Sequence, residues 1–231
     1  MKIEVLADAE AVARRAAAWI AAEARGAEPR GRFTVAVSGG RTPWQMLRAL
    51  AGEAVPWSIV HLLQVDERVA PAGHPDRNLT HIEASLLAHV KLPRAQVHAI
   101  RVEGPDLEED ARCYARALED VCGRPPVLDV VHLGLGPDGH TASLVPGDPV
   151  LEVRDADVAV TGAYQGRRRI TLTLPALDRA RSILWLVTGA EKAAMLARLE
   201  AGDPSIPAGR VRRDRALVLA DREAAAGRPA H

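Results

Sequence analysis

The chain has 231 residues, and 48% of them are hydrophobic, which suits one globular domain or two small ones. It carries 30 basic and 30 acidic side chains, so its bulk charge favours neither nucleic acid nor an anionic membrane as the main partner. No apolar run is long enough to span a membrane, and the start, Met1-Lys2-Ile3-Glu4, does not resemble a signal peptide, so we expect a soluble, cytoplasmic protein.

Short strand-like runs alternate with helix-like stretches along the chain. The apolar or β-branched runs are 2–6, 33–37, 59–65, 127–133, 158–161, 169–174, 183–187 and 216–219. Helical periodicity is found at 9–24, 43–51, 78–89, 106–121 and 190–199. This alternation predicts an α/β fold, a mostly parallel sheet with helices on both faces. We expect a single domain over residues 1–223 and a flexible tail over 224–231.

Four polar clusters follow directly on predicted strands. They are 38–43, 66–68, 134–140 and 188–192. In an open parallel sheet the carboxyl ends of the strands face one crevice, and ligands bind there. We therefore expect all four clusters to contribute to one site.

The first cluster, Ser38-Gly39-Gly40-Arg41-Thr42-Pro43, has the composition of an anion-binding turn. Two glycines allow a turn with exposed N–H groups, and Thr42 as N-cap, with Pro43 and Gln45, is expected to start a helix. The positive end of the helix dipole attracts phosphate. An ordinary strand-to-helix turn has the same composition, so that interpretation stays open. The Gly-Lys-Ser/Thr ending of a nucleotide-triphosphate loop is absent.

Two other clusters supply cations. Asp66-Glu67-Arg68 is either a turn whose charges pair with one another, or a site where the arginine binds an oxyanion and a carboxylate orients other groups. Thr188 and Glu191 fit a capping box that places Lys192 in the first helical turn, where the dipole disfavours a cation. An anionic partner would remove this conflict, and a lysine bent towards solvent is the alternative. Of Arg167-Arg168-Arg169, we expect at most one inside a site.

The remaining cluster, Gly134-Leu135-Gly136-Pro137-Asp138-Gly139-His140, contains G-x-G-x-x-G after a strand. Pro137 leaves no room for the long helix that follows a dinucleotide-binding turn, so we do not expect such a site. A glycine-rich loop instead brings backbone amides close to a ligand, as candidate oxyanion donors. It presents Asp138 and His140 at its tip, and we interpret His140 as functional and the other histidines as structural or exposed.

The two cysteines do not indicate a metal site. Cys113 and Cys122 lie in a helix-like stretch without the spacing or the histidine neighbours of zinc ligands. We expect reduced thiols in the core or at its boundary, and no metal.

Taken together, the clusters resemble the 6-phosphogluconolactonase family. The matching segments are Val37–Pro43, Val65–Arg68 with Asn78 downstream, Leu133–Leu144, Arg169–Leu172 and Gly189–Lys192, in the order found in the family. The resemblance implies a Rossmann-like fold similar to that of glucosamine-6-phosphate deaminases and ribose-5-phosphate isomerases. It also implies hydrolysis of 6-phospho-D-glucono-1,5-lactone to 6-phosphogluconate without metal or cofactor, by a monomer or small homo-oligomer that acts on a phosphosugar lactone.

The resemblance assigns roles to particular residues. We expect the phosphate to be bound by the amides of Gly39 and Gly40, the Ser38 hydroxyl, and the cations Arg68, Arg169 and Lys192. His140, kept neutral and oriented with help from Asp138, is expected to take a proton from the attacking water. Asp66, Glu67, Asn78 and Thr42 are expected to support the site.

Two departures and two rival functions accompany this expectation. Val145 stands where the family usually has phenylalanine, and Arg77 where it usually has serine, which would alter the pocket wall and the phosphate-side contacts.

A glucosamine-6-phosphate deaminase or aldose-ketose isomerase is the main alternative, but 141–146 lack the second carboxylate that this chemistry uses. A phosphosugar-sensing module is the other, disfavoured because no DNA-binding segment or basic patch is found.

Overall fold

The computed structural model describes residues 1–226 and contains ten β-strands within that range. They are β1 (Lys2–Leu6), β2 (Phe33–Val37), β3 (Val60–Gln64), β4 (Asp66–Arg68), β5 (Val97–His98), β6 (Val130–Gly134), β7 (Val158–Val160), β8 (Arg169–Leu172), β9 (Ser182–Val187) and β10 (Ala216–Asp221). Seven of them form a parallel sheet in the order β1-β10-β9-β6-β2-β3-β5. The predicted α/β class and the mostly parallel sheet are confirmed.

Six α-helices accompany the strands in the described part of the chain. They are α1 (Ala9–Gly26), α2 (Arg41–Leu50), α3 (Asn78–Ile82), α4 (Leu107–Cys122), α5 (Leu174–Asp178) and α6 (Ala193–Ala201). The side chain of Asp8 caps α1 and that of Asp106 caps α4, each by accepting from backbone N–H groups of the first turn. None of the described helices is both long and apolar enough to cross a bilayer.

The central strands of the parallel sheet are buried on both faces because they are apolar at successive positions. Val35 and Val37 of β2 pack in one hydrophobic cluster with α1 and α2, whereas Ala36 between them packs in the other. In β9 the side chains of Leu184 and Trp185 divide between the clusters in the same way. This alternation is the period of two expected of a strand. The sheet is therefore a rigid platform for the loops at its carboxyl edge.

A second sheet was not expected from the sequence. Strands β4, β8 and β7 pair in antiparallel order β4-β8-β7. The segment Asp66–Arg68, interpreted as a polar strand end or turn, is therefore itself a strand, and its charged side chains are buried or half-buried. The predicted run 169–174 is shorter than expected, since Leu174 already begins α5. The small sheet adds a wall beside the carboxyl edge of the large one.

The first three residues of the predicted flexible tail, 224–226, form a hydrogen-bonded turn. Ala224 is fully buried, and its N–H donates to Oδ1 of Asp221 at 2.7 Å. Ala225 and Ala226 continue the same turn through backbone hydrogen bonds. The rest of the predicted tail, 227–231, lies outside the described residues.

Candidate active site

A cavity of about 750 Å³ opens where strands of both sheets end. Most of the residues predicted for the site line it, namely Ser38, Gly39, Gly40, Thr42, Asp66, Arg68, Asn78, His140, Arg169 and Lys192. Asp138 and Glu67 do not line it and stand behind its wall, in contact with residues that do. The structure thus brings all four polar clusters to one place.

The turn after β2 presents backbone donors to the cavity. The N–H groups of Gly39, Gly40, Arg41 and Thr42 find no acceptor among residues 1–226. Gly40 has φ 131°, a conformation that residues with a side chain rarely adopt. A Cβ on Gly39 would lie 1.9 Å from Oδ1 of Asn78, so only glycine allows this close approach. The turn is therefore shaped to bind an anion.

Ser38 is placed differently from the expectation. Its N–H donates to Nδ1 of His132 at 3.2 Å, and its hydroxyl donates to the carbonyl of His132 at 3.1 Å. Both donors point into the protein, so the Ser38 hydroxyl is not a phosphate donor in this structure. Burial lowers the pKa of His132 to about 3, so the imidazole stays neutral and accepts. Ser38 and His132 together anchor the glycine turn.

The two predicted capping boxes are wrong. Helix α2 begins at Arg41 after Gly40, with no side-chain cap, and the Oγ1 of Thr42 instead shares a hydrogen bond of 2.7 Å with that of Thr188. Gly189 precedes a single 3₁₀ turn, Ala190–Lys192, and α6 starts only at the next residue. The two hydroxyls instead link the first turn of α2 to the residue that follows β9.

Arg68 and Arg169 lie directly opposite each other on β4 and β8. The Nε of each guanidinium is buried and has no hydrogen-bond partner among the described residues. Arg169 is only 3% exposed, and its bonds to Ser143 Oγ and Gln165 Oε1 are long, at 3.5 and 3.4 Å. Burial, with a smaller effect from Arg68, lowers the pKa of Arg169. Like charges opposite each other on paired strands are destabilising, so this arrangement favours the binding of an anion.

The carboxylates beside these arginines are occupied by other hydrogen bonds. Asp66 Oδ2 accepts from Ser143 Oγ at 2.6 Å, and Asp66 Oδ1 accepts weakly from the side-chain amide of Asn78. Glu67 is fully buried and accepts from the backbone N–H groups of Arg68 and Asn78, each at 2.8 Å. Asp66 and Glu67 therefore fix the wall that holds the arginine pair and leave its guanidinium groups available.

The two departures from the family pattern lie outside the cavity. Neither Arg77 nor Val145 is among the described residues that line it. The Nε of Arg77 lies 3.5 Å from a Glu67 oxygen, and its NH1 donates to Glu103. Arg77 therefore compensates the buried Glu67 charge and does not itself line the cavity. Val145 is buried in the core.

Asp138 and His140 form a hydrogen-bonded pair at the tip of the glycine-rich loop. Asp138 Oδ1 lies 2.5 Å from Nδ1 of His140 and 3.1 Å from its backbone N. Partial burial acts to raise the pKa of Asp138, but hydrogen bonds from His140 and Tyr164 outweigh it and hold the pKa below its usual value. The ionised Asp138 favours the tautomer with the proton on Nδ1, which leaves Nε2 as an acceptor.

The backbone of the glycine-rich loop lies directly against the His140 ring. A Cβ on Gly136 would lie 2.0 Å from Nδ1 of His140. The N–H of Gly136 donates to the His140 carbonyl, and that of Gly139 donates to the Gly136 carbonyl. Neither amide is therefore available as the oxyanion donor that the sequence led us to expect. The N–H groups of Leu135 and Asp138 have no acceptor within residues 1–226. If the loop supplies an oxyanion donor, these two amides are the candidates.

Lys192 completes the cationic side of the cavity. It is half-buried, and its side chain makes no ion pair or hydrogen bond among the described residues. Burial lowers its pKa, against the opposing effects of Glu191 and Asp138. Its ammonium therefore remains available to an anion in the cavity, and it precedes α6 at the N-cap rather than lying inside the helix.

Sequence reasoning missed Tyr164, which contacts the Asp138–His140 pair. The Tyr164 hydroxyl donates to Asp138 Oδ2 at 3.0 Å, and its ring meets the His140 ring edge-on at 5.4 Å between centroids. The available signal was weak: Tyr164 is one of two tyrosines in the chain and lies in a polar turn just before the arginine run.

Within the described range, no group of three or more histidine, cysteine, aspartate or glutamate side chains is arranged to hold a metal ion.

Comparison with known proteins matches this arrangement to a family. Residues 7–219 match the family model described as glucosamine-6-phosphate isomerases/6-phosphogluconolactonase. The chain is 42% identical over 214 residues to the 6-phosphogluconolactonase of Mycobacterium tuberculosis, covering 87% of each chain.

Solved structures show the same fold. The crystal structure of 6-phosphogluconolactonase from Thermotoga maritima superimposes with a TM-score of 0.84 at 28% identity, covering 95% of this chain and 98% of that one. A monomeric glucosamine-6-phosphate deaminase superimposes with a TM-score of 0.87 at 19% identity, covering 99% and 100%. At that identity the second likeness concerns the fold alone.

Proposed function

The chain belongs to the glucosamine-6-phosphate isomerase/6-phosphogluconolactonase family, and from this premise we propose that it hydrolyses 6-phospho-D-glucono-1,5-lactone to 6-phospho-D-gluconate in the oxidative pentose phosphate pathway. This substrate has a phosphate dianion at one end and an activated ester at the other. The cavity offers a group of unpaired donors for the first and the His140 imidazole for the second.

The observation that supports this proposal most strongly is the Arg68–Arg169 pair. Two guanidinium groups opposite each other, each with a buried Nε that lacks a partner in the described chain, favour the binding of an anion between them. Lys192 and the N–H groups of Gly39 and Gly40 face the same cavity. Together they bind a phosphate dianion by charge-assisted hydrogen bonds.

His140 is the general base in this proposal. Its Nε2 takes a proton from water as the water oxygen forms a bond to the lactone carbonyl carbon. The tetrahedral intermediate then breaks the bond between that carbon and the ring oxygen. The proton held on Nε2 passes to the departing ring oxygen, which becomes a hydroxyl, and the new carboxylic acid loses its own proton to solvent. Asp138 stabilises the imidazolium formed between these steps.

The segment that follows His140 lacks the carboxylate that the rival deaminase and isomerase chemistry uses there. Residues 141–146 contain no carboxylate, and the nearby Asp66 carboxylate is hydrogen-bonded by Ser143 and Asn78. A proton shuttle between two carbon atoms needs such a group close to the sugar ring. Lactone hydrolysis needs one base only, which this site supplies.

The test is direct. Purified protein is added to freshly generated 6-phosphogluconolactone, and acid release is followed against the spontaneous background. We expect rapid acid release in proportion to the protein added, and no ammonia release from glucosamine 6-phosphate. Acid release at the background rate, or ammonia release, would contradict the proposed function.

A further inference from the structure

Tyr164 contacts residues at both the reacting end and the phosphate end of the cavity, although it does not itself line the cavity. Its hydroxyl donates to Asp138 Oδ2 at 3.0 Å, and the Arg169 guanidinium carbon lies 5.0 Å from the centre of its ring. One aromatic side chain therefore contacts the partner of the base on one side and a phosphate-binding cation on the other. A cation over an aromatic face is attracted by the ring electrons.

The contact with Asp138 completes the hydrogen bonds of that carboxylate. Oδ1 of Asp138 accepts from the backbone and the ring of His140, and Oδ2 accepts from Tyr164. Burial and the hydrogen bond to Asp138 both raise the pKa of Tyr164, so its hydroxyl stays protonated and donates. With both oxygens held, the carboxylate cannot rotate, and the His140 ring keeps its orientation.

The turn that presents Tyr164 also supports Arg169. Tyr164 and Arg167 exchange two backbone hydrogen bonds, at 2.9 and 3.2 Å, which close the turn. Gln165 within it has φ 51°, an unusual conformation for a residue with a side chain. In this conformation Oε1 of Gln165 accepts from Arg169 at 3.4 Å. The turn therefore holds the arginine from two neighbouring residues.

We propose that Tyr164 is a positioning residue with two separable functions: its hydroxyl orients the Asp138–His140 pair for catalysis, and its ring holds Arg169 for phosphate binding. This inference rests on the proposed lactonase function. The two functions predict different kinetic effects, because the hydroxyl acts on the reacting end and the ring on the binding end.

The test compares Tyr164→Phe with Tyr164→Leu. Removing only the hydroxyl is expected to lower kcat about tenfold and leave KM within about twofold. Removing the ring as well is expected to give the same loss of kcat and to raise KM about fivefold. Phenylalanine thus restores binding without restoring turnover, a pattern that general destabilisation would not produce. Ala163→Ser, an exposed change in the adjacent position, serves as the control and is expected to match the unaltered protein.

The outcomes distinguish this proposal from the proposed lactonase function on which it rests. If the unaltered protein does not accelerate lactone hydrolysis, both are overturned. If it does and Tyr164→Phe has the same kcat, only the function assigned to the hydroxyl is overturned. If the two variants raise KM equally, the function of the ring is overturned. Should the leucine variant fail to fold, the kcat of Tyr164→Phe alone decides whether the hydroxyl contributes to catalysis.

Discussion

The two ends of the cavity differ in how their polar groups are satisfied. At the phosphate end, Arg68 and Arg169 each retain a buried Nε without a partner in the described chain, and several amides of the glycine turn lack acceptors. At the reacting end, both oxygens of Asp138 and the Nδ1 of His140 are engaged. The first end is incomplete until a ligand arrives, whereas the base at the second end is already held by its partner.

This difference follows from what each end must do. Binding energy for a dianion comes from donors that have no better partner in the empty protein. Catalysis gains from a base whose orientation is fixed in advance, because no reorganisation is then needed during the reaction. Substitutions at the two ends should therefore have opposite kinetic signatures, KM at one and kcat at the other.

The largest effect is expected from the reacting end. His140→Ala should lower kcat about 10²- to 10⁴-fold, the usual contribution of a general base. Affinity for 6-phosphogluconate, measured by calorimetry, should stay within about threefold, since the phosphate donors are untouched. His89→Ala, which removes an exposed histidine outside the cavity, is the control. A loss of product affinity as large as the loss of kcat would contradict the assignment of catalysis to one end of the cavity and binding to the other.

The next effect is expected from the phosphate end. Arg169→Gln should raise KM about 10- to 100-fold by removing charge-assisted hydrogen bonds to phosphate. Because Arg169 faces Arg68 and makes only long hydrogen bonds, the thermal midpoint of the empty protein should not fall. Arg168→Gln, on the exposed neighbouring residue, should leave KM unchanged. A lower midpoint with an unchanged KM would mean that Arg169 is a structural residue.

A smaller effect concerns the anchoring of the glycine turn. The folded-state pKa of His132 is about 3, below the ordinary value of 6.5, so the unfolded chain takes up the proton first. Stability from this group is complete above that ordinary value and is lost as the pH falls towards the folded pKa, at about 1.4 kcal/mol per pH unit.

Chemical denaturation across the acid range tests this anchor. His132→Asn keeps an acceptor near the Ser38 N–H but does not titrate, so its free energy of unfolding should change less steeply with acid. Equal slopes in the two proteins would show that the neutral imidazole does not contribute to acid sensitivity.

The parallel sheet could be predicted because its buried strands are continuous apolar runs. Phe33–Val37 coincides with an observed strand that is buried throughout, whereas the edge strand Lys2–Leu6, also predicted, contains two charged residues and is partly exposed. The small antiparallel sheet could not be predicted in full, since Asp66–Arg68 contains only charged residues and becomes a strand through pairing with distant β8. The two-residue strand Val97–His98 is too short to show any period.

For the site, sequence reasoning identified which side chains meet but not where their hydrogen bonds go. Parallel strands place the residues after them at one edge, which brought Ser38, His140 and Lys192 together. That Ser38 points its donors to His132 depends on contact between neighbouring strands, which no local pattern encodes. The contact of Tyr164 with Asp138 is likewise purely tertiary.

A crystal structure of the protein with bound 6-phosphogluconate tests the central claim most directly, because it shows which end holds the phosphate. We predict the phosphate between the Arg68 and Arg169 guanidinium groups, next to the amides of Gly39 and Gly40, and the product carboxylate beside Nε2 of His140. A phosphate beside His140, or a product bound outside this cavity, would contradict the account.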